Sequence, residues 1–188
     1  MGLTGKNNEE KAWNFLKGKI PNDFGVAGLM GELFAESGLN PQNLQNSYEK
    51  KLGFTDATYT AAVDSGSYAN FVHDSAGYGV AQWTFWSRKE ALLNYVRALG
   101  VSIGDLEAQL SFLYKELSES YPSVLAALKT ATSVRAASDK VLTDFEKPAD
   151  QSEAVKIKRA GYGQTYYDKY AKAAASTPSE GGNNMSNS

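Results

Sequence analysis

The sequence predicts a mainly α-helical domain with at most one small β-hairpin. Hydrophobic residues recur at intervals of three and four along several segments, which is the helical period. Capping residues, proline and glycine mark the ends of these segments. Paired glycines and aromatic residues at 76–83 predict a loop or a small hairpin arm. The chain has 188 residues, 42% of them hydrophobic, which is enough for one core of ordinary domain size.

Two helices are predicted in the N-terminal part. The first follows Asn8, a good capping residue, and ends before Pro21. The second begins at Asp23 and is apolar on most of its surface. Gly38 is expected to end this helix in the left-handed conformation. A capping residue before an apolar run and a glycine after it are the usual signs of a helix.

The rest of the domain is also predicted to be helical. Further helices are expected over residues 55–63, 67–73, 87–99, 105–117, 123–128, 133–145 and 153–173. The sequence Ser87-Arg88-Lys89-Glu90 has the form of a capping box. Gly161 and Gly163 predict a bend or a break in the last helix.

The composition changes near the C-terminus. From Ser176 onward the residues are mainly Ser, Thr, Pro, Gly and Asn, which have little apolar surface to bury. We therefore expect a folded domain over residues 1–175 to be followed by a disordered linker or tail over residues 176–188. Such a tail is typical of a monomeric domain within a larger modular protein.

Composition excludes several function classes. The chain has no cysteine and one histidine, His73, so a Cys/His nucleophile is impossible and a zinc site lacks its usual ligands. No metal and no organic cofactor is expected. The net charge of -2 argues against a nucleic-acid partner. No apolar run reaches the ~20 residues of a membrane helix, so no membrane insertion is expected.

Glu36 is the first candidate for chemistry. It lies at the predicted end of an apolar helix, where the negative end of the helix dipole disfavours a charged carboxylate. Apolar neighbours would act in the same direction, as a proton donor near neutral pH requires. Glu32 lies one turn earlier and could form an acid pair with it. The alternative is that both are solvated surface residues.

Residues 73–83 are the second candidate. Gly77 and Gly79 let the backbone approach a ligand closely. Tyr78, Trp83 and Trp86 have the flat faces and polar edges that suit sugar rings. The alternative is a tight turn that covers the core with buried aromatic residues.

Together these segments resemble the phage tail lysozyme family. The resemblance rests on Ala35-Glu36-Ser37-Gly38-Leu39-Asn40-Pro41 and on Gly77-Tyr78-Gly79-Val80-Ala81-Gln82-Trp83. Phe145-Glu146-Lys147-Pro148 and the segment 159–170 are also similar to that family. The resemblance covers about residues 10–172. It implies a lysozyme-like helical domain, related to goose-type lysozymes and lytic transglycosylases, with any β-hairpin lining the cleft.

The resemblance also implies roles for single residues. Glu36 is expected to be the general acid, and Asp74 to orient a water molecule, with Asp56 and Asp64 as alternatives. The residues expected to contact substrate are Ser37, Tyr78, Gln82, Trp83 and Tyr162, with Tyr166 and Tyr167 as alternatives to Tyr162. Glu146 is a possible brace for the site, paired with Arg159.

The implied activity is that of a muramidase. It would hydrolyse the β-1,4 bond between N-acetylmuramic acid and N-acetylglucosamine in bacterial peptidoglycan, outside the cell, at the cell wall or on a phage particle. In an inverting enzyme the two carboxyl groups would stand about 6.5–9.5 Å apart. A lytic transglycosylase giving 1,6-anhydromuramyl products and a non-catalytic glycan-binding module are the alternatives. A Ser-His-Asp hydrolase would have to use His73, whose neighbours Asp74 and Ser75 are merely adjacent in sequence.

Overall fold

The structure, a computed structural model, describes residues 2–172. The predicted tail, 176–188, lies outside the described residues. The α-helices are α1 Asn8–Lys19, α2 Asp23–Ser37, α3 Asn46–Leu52, α4 Asp56–Ser65, α5 Trp86–Leu99, α6 Leu106–Glu119, α7 Pro122–Thr130, α8 Val134–Val141 and α9 Glu153–Tyr166. Helix α8 continues into a π-helical turn, Leu142–Glu146, and α9 into another, Tyr167–Lys172.

The predicted fold class is confirmed. The described residues contain no β-strand, only isolated antiparallel bridges that join Tyr78 to Leu44 and to Trp83. The second bridge closes the glycine turn, in which Tyr78 and Trp83 exchange backbone hydrogen bonds of 3.1 and 3.0 Å. This is the small hairpin-like arm that the sequence predicts. No helix in the described part of the chain has the length and apolar character needed to cross a membrane.

Several local predictions differ from the structure. Residues 67–73 form turns rather than a helix, and α3 was not predicted. The capping box predicted at Ser87 is wrong, because α5 already begins at Trp86 and has no side-chain cap. Helix α9 runs through Gly161 and Gly163 without a break. Gly38 is the left-handed cap of α2, as predicted, with φ of 62°.

Helix α2 lies at the centre of the domain, where it packs against α1, α7, α8 and α9. Three of its glycines allow these helices to come close. A methyl group on Gly25 would lie 2.0 Å from the carbonyl oxygen of Leu128 in α7, and one on Gly28 would lie 2.5 Å from Cβ of Ala137 in α8. A methyl group on Gly31 would lie 2.5 Å from the backbone nitrogen of Gly163 in α9. The absence of side chains at these positions therefore sets the distances between the central helix and its neighbours.

Candidate active site

A cleft of about 1090 Å³ runs past the C-terminal end of α2. It exceeds the roughly 300–1,000 Å³ of a usual small-molecule pocket, so it has room for more than one sugar ring. One part of its wall consists of amide and hydroxyl side chains, namely Asn43, Gln45, Asn46, Ser47, Gln82 and Thr84. Another part is charged and contains Glu36, Arg88, Glu146 and Arg159. The cleft therefore combines groups that bind sugars with groups that move protons.

Glu36 lies in the last turn of α2, one residue before Ser37, where that helix ends. Its side chain is 19% exposed and lines the cleft. Its Oε1 accepts a hydrogen bond of 2.7 Å from Nη1 of Arg159, which comes from α9. The structure thus places Glu36 in the cleft wall, paired with a cation and within reach of a ligand.

Glu32 lies one turn earlier on the same face of α2 and is fully buried. Its Oε2 accepts a bond of 2.8 Å from the same Nη1 of Arg159, and its Oε1 accepts a bond of 2.9 Å from Ser138. Burial raises the pKa of Glu32 although Arg159 and Ser138 act against the shift. Burial would lower the pKa of Arg159, but the two carboxylates outweigh it and raise that pKa. Arg159 therefore remains charged and holds both glutamates on one face.

Glu146 is a third carboxyl group at this end of the cleft. It closes the π-helical turn after α8, and its Oε1 is buried without any hydrogen-bond partner among the described residues. Burial raises the pKa of Glu146 well above its ordinary value, and the negative charge of Glu36 raises it further. The expected pairing of Glu146 with Arg159 is not formed, because Arg159 binds Glu32 and Glu36 instead.

Comparison with known proteins assigns the chain to a family. The family model described as phage tail lysozyme matches residues 7–170. The chain belongs to the phage tail lysozyme family. Searches of curated proteins and of solved structures gave no match. The family carries a lysozyme-type, peptidoglycan-degrading function, and the matched range includes the whole cleft described above.

Asp74 does not line the cleft of this phage tail lysozyme domain. Its side chain is 1% exposed. One carboxylate oxygen accepts bonds from Lys89 Nζ at 2.6 Å and from the backbone N–H of Ala76 at 2.9 Å. The other accepts bonds from the hydroxyls of Tyr59 at 2.5 Å and Tyr68 at 2.9 Å. Because these four donors occupy the carboxylate, it is not free to orient a water molecule in the cleft, contrary to the role expected from the sequence.

Two aromatic residues of the lysozyme motif lie in the core rather than on the cleft surface. Tyr78 and Trp83 are both 0% exposed. The hydroxyl of Tyr78 lies 2.6 Å from that of Thr60, and the indole nitrogen of Trp83 donates to Glu116 at 2.7 Å. Neither ring can stack on a sugar in this arrangement, which corrects the substrate contacts expected from the sequence.

Two other residues of the family motifs do line the cleft. Ser37 is nearly buried, and its Oγ lies 2.8 Å from the carbonyl oxygen of Val80, which ties the end of α2 to the glycine turn. Gln82 has φ of 51°, and its amide nitrogen donates to the Asn43 carbonyl at 2.9 Å. Its Oε1 is not used in these bonds. Gln82 can therefore accept a hydrogen bond from a ligand, whereas Ser37 mainly braces the site.

The remaining candidates lie outside the cleft lining. Tyr162 is half-buried and packs edge-on against Phe34, with ring centroids 4.8 Å apart. Its alternative Tyr166 is buried. Asp56 accepts from Asn40 and from the backbone of Leu44, and Asp64 accepts from Ser102 and the backbone of Ile103. Tyr167, the other alternative, stacks on Phe24. His73 is exposed and lies against Trp86, with centroids 6.0 Å apart.

The amide-rich wall was not predicted from the sequence. Its signal is the segment from Asn40 to Ser47, which follows α2 and contains five Asn or Gln side chains. Their amide groups can both donate to and accept from the hydroxyl and acetamido groups of a sugar. Among the described residues, no group of three or more His, Cys, Asp or Glu is arranged to hold a metal ion.

Proposed function

We propose that this member of the phage tail lysozyme family is a muramidase with Glu36 as its proton donor. It cleaves the β-1,4 bond between N-acetylmuramic acid and N-acetylglucosamine. The observation that supports this most is the position of Glu36, a partly exposed carboxyl group in the wall of a cleft that is also lined by amide and hydroxyl groups. Glycoside hydrolysis needs a carboxyl group beside the scissile bond and polar groups that orient the sugars.

The proposed reaction uses only side chains of this chain. The amide-lined wall binds the glycan through its hydroxyl and acetamido groups, with Gln82 as one acceptor. Glu36 transfers a proton to the bridging oxygen as the bond to the anomeric carbon breaks. An oxocarbenium-like state develops, and water adds to it. Arg159, held between Glu32 and Glu36, fixes the acid at the end of α2.

A lytic transglycosylase is the second candidate, and the burial of Asp74 favours it. Without a base to activate water, the 6-hydroxyl of the muramic acid can capture the cation and form the 1,6-anhydro product. Mass spectrometry of glycan digested with the purified protein separates the two outcomes. We expect hydrated reducing ends. Products lighter by one water would show that the protein is a transglycosylase.

The assignment of the acid is tested by Glu36→Gln, which keeps the shape but removes the transferable proton. We expect the release of soluble fragments from purified peptidoglycan to fall at least about 100-fold, the lower end of the range for general acid catalysis. Glu90→Gln on the exposed surface of α5 is the matched control and should be as active as the wild type. Wild-type activity in Glu36→Gln would remove Glu36 from this role.

A non-catalytic glycan-binding module would give a different result. The wild-type protein would then be retained on insoluble peptidoglycan without releasing fragments, and Glu36→Gln would be retained equally well. We expect fragment release, and its complete absence at every pH between about 4 and 8 would exclude an enzyme of the general acid type.

The family description also bears on where the protein acts. We propose that it acts on the cell wall from outside, as part of a phage particle, because the family is that of phage tail lysozymes. Mass spectrometry of purified particles tests this, and absence of the protein from them would contradict it. Gel filtration tests the expected monomer.

A further inference from the structure

Glu146 lies at a point where the backbone departs from regular helix. The turn Leu142–Glu146 is π-helical, and Lys147 follows in the left-handed conformation with φ of 48°. Pro148 comes next, so the helix cannot continue. Single π-helical turns and left-handed non-glycine residues both cost energy and are concentrated at functional sites. This segment presents Glu146 to the cleft that contains Glu36.

The two arginines near Glu146 form ion pairs with other carboxylates. Arg88 donates two hydrogen bonds to Glu116, of 2.8 and 2.9 Å. Nη1 of Arg159 is shared between Glu32 and Glu36. Within residues 2–172, the buried Oε1 of Glu146 has no hydrogen-bond partner. Glu146 as a whole is half-buried, but a charged oxygen that is buried without a partner is costly, and a neutral carboxylic acid at the same place costs less.

The charges around Glu146 also favour its neutral, protonated form. The titratable groups around Glu146 include cleft residues and buried ones. In the cleft lining they are Glu36 of α2, Arg88 of α5, Tyr121 before α7, Arg159 of α9, and Lys147. Behind the lining they are Glu32 of α2 and Glu116 of α6, the partner of Arg88. With Arg88 neutralised by Glu116, Arg159 faces three carboxyl groups. Both oxygens of Glu32 receive hydrogen bonds, and Glu36 is paired with Arg159. Glu146 is therefore the one of these three on which a proton relieves most repulsion.

We propose that Glu146 is the second carboxyl of the active site and shares a single proton with Glu36. This inference rests on the proposed function and deepens it. In the free protein the proton resides on Glu146, while the Glu36 carboxyl group is bound by Arg159. Glu146 acts through Glu36 and is a positioning residue, since Glu36 is the group placed to reach the glycosidic oxygen.

The proton balance of the reaction follows from this arrangement. The pair starts with one proton and gives it, through Glu36, to the bridging oxygen as the bond from that oxygen to the anomeric carbon breaks. The pair is then doubly ionised and can accept a proton. Water adds to the anomeric carbon, and the proton that it loses returns to the pair. The pair thus acts as acid and then as base, as hydrolysis requires of two carboxyl groups.

The pH profile of Glu146→Gln tests the proposal. Coupled carboxyl groups lose their protons in steps that belong to the pair. The high-pH limb of kcat/KM in the wild type should therefore report the loss of the shared proton. Glu146→Gln lacks the carboxyl group on which that proton resides. We expect that limb to move to lower pH by about one unit or more, with at least about a tenfold loss of activity at neutral pH that acid partly restores.

The control for this experiment is Glu90→Gln, which should leave the limb in place. A structural role for Glu146 would lower the activity of Glu146→Gln equally at all pH values. An unmoved limb in a folded Glu146→Gln protein would therefore overturn the proposal.

A second measurement does not depend on the activity or on the stability of a variant. In wild-type protein with ¹³C-labelled glutamate, carboxyl NMR signals report the protonation of each side chain. We expect one glutamate to remain protonated at about pH 6, well above the ordinary glutamate pKa of about 4.3. Its signal should be absent or altered in Glu146→Gln. A spectrum with every glutamate ionised at that pH would overturn the proposal.

These measurements distinguish the two hypotheses. If Glu36→Gln is inactive but no glutamate is protonated at about pH 6, the proton-sharing inference fails and the muramidase proposal stands. If the wild-type protein releases no glycan fragments but one glutamate is protonated, the muramidase proposal fails and the shared role in catalysis fails with it. Loss of that signal in Glu146→Gln would still place the proton on Glu146.

Discussion

Replacing Asp74 with asparagine separates a structural role from a catalytic one. The side chains of Asp74 and Lys89 are 1% and 0% exposed and lie 2.6 Å apart. The variant leaves the Lys89 ammonium buried without a counter-charge, and it presents an amide group to the donors that the carboxylate served, among them Tyr59 and Tyr68. Breaking a buried ion pair in this way costs about 3–5 kcal/mol. For a domain of this size that lowers Tm by about 6–20 °C.

The assay is thermal and urea unfolding followed by circular dichroism, with specific activity measured well below Tm. Glu119→Gln is the control, because it breaks an ion pair of 2.5 Å with Lys115 on the exposed surface, which should contribute less than about 1 kcal/mol. Asp74→Asn should be strongly destabilised, while each folded molecule remains active within a few-fold. A stable Asp74→Asn protein that has lost its activity would refute this reasoning and return Asp74 to the catalytic site.

Two further predictions concern helix packing and pH. Gly163→Ala places a methyl group 2.7 Å from the carbonyl oxygen of Ala27 and should destabilise the protein by about 1–3 kcal/mol. Gly161→Ala has open space around the added methyl group and should stabilise the protein by about 0.5–1 kcal/mol. Equal urea midpoints for the two variants would contradict this prediction. Because burial raises the pKa of Glu146 and of Glu32, the folded protein binds more protons than the unfolded chain above about pH 4.3. The contribution of these two groups to the free energy of unfolding should therefore be largest below that pH. It should fall as pH rises toward their folded pKa values, by up to about 1.4 kcal/mol per pH unit for each group, and the total slope in this range should differ in Glu146→Gln. Identical slopes in the two proteins would contradict the assignment to Glu146.

The helices could be predicted from the sequence because their signals are local. The apolar run of α2 and the glycine that ends it specify the helix and place Glu36 in its last turn. Helix α3 was missed because none of its residues is buried and it has no side-chain cap, so it shows neither an apolar period nor an N-terminal signal. The segment 67–73 was predicted as a helix on apolar spacing, but its aromatic residues pack into a cluster around Tyr59 instead.

The glycine turn shows why side-chain direction is harder to predict than position. The bridge between Tyr78 and Trp83 places both rings in the core, while Gln82, next to Trp83, lies in the cleft. Asp74 lies close to this turn in sequence, but it turns toward Lys89 on α5. Proximity in sequence predicted that these residues lie near the site. Which of them face the cleft depends on contacts with helices distant in sequence, and no local pattern encodes those contacts.

The position of Arg159 links the stability of the domain to the chemistry of the site. Gly31 and Gly163 meet where α2 crosses α9, and a methyl group on Gly31 would also lie 2.7 Å from the carbonyl oxygen of Arg159. This close crossing allows the guanidinium to reach Glu32 and Glu36, which are separated from it by 127 and 123 residues along the chain. A larger residue at the crossing would move the guanidinium away from Glu32, which has no other cation within ion-pair distance in the part of the chain that the structure describes. Since the same packing both stabilises α2 and holds the acid, substitutions at the crossing should reduce stability and activity together, whereas substitutions at Glu36 should reduce activity alone.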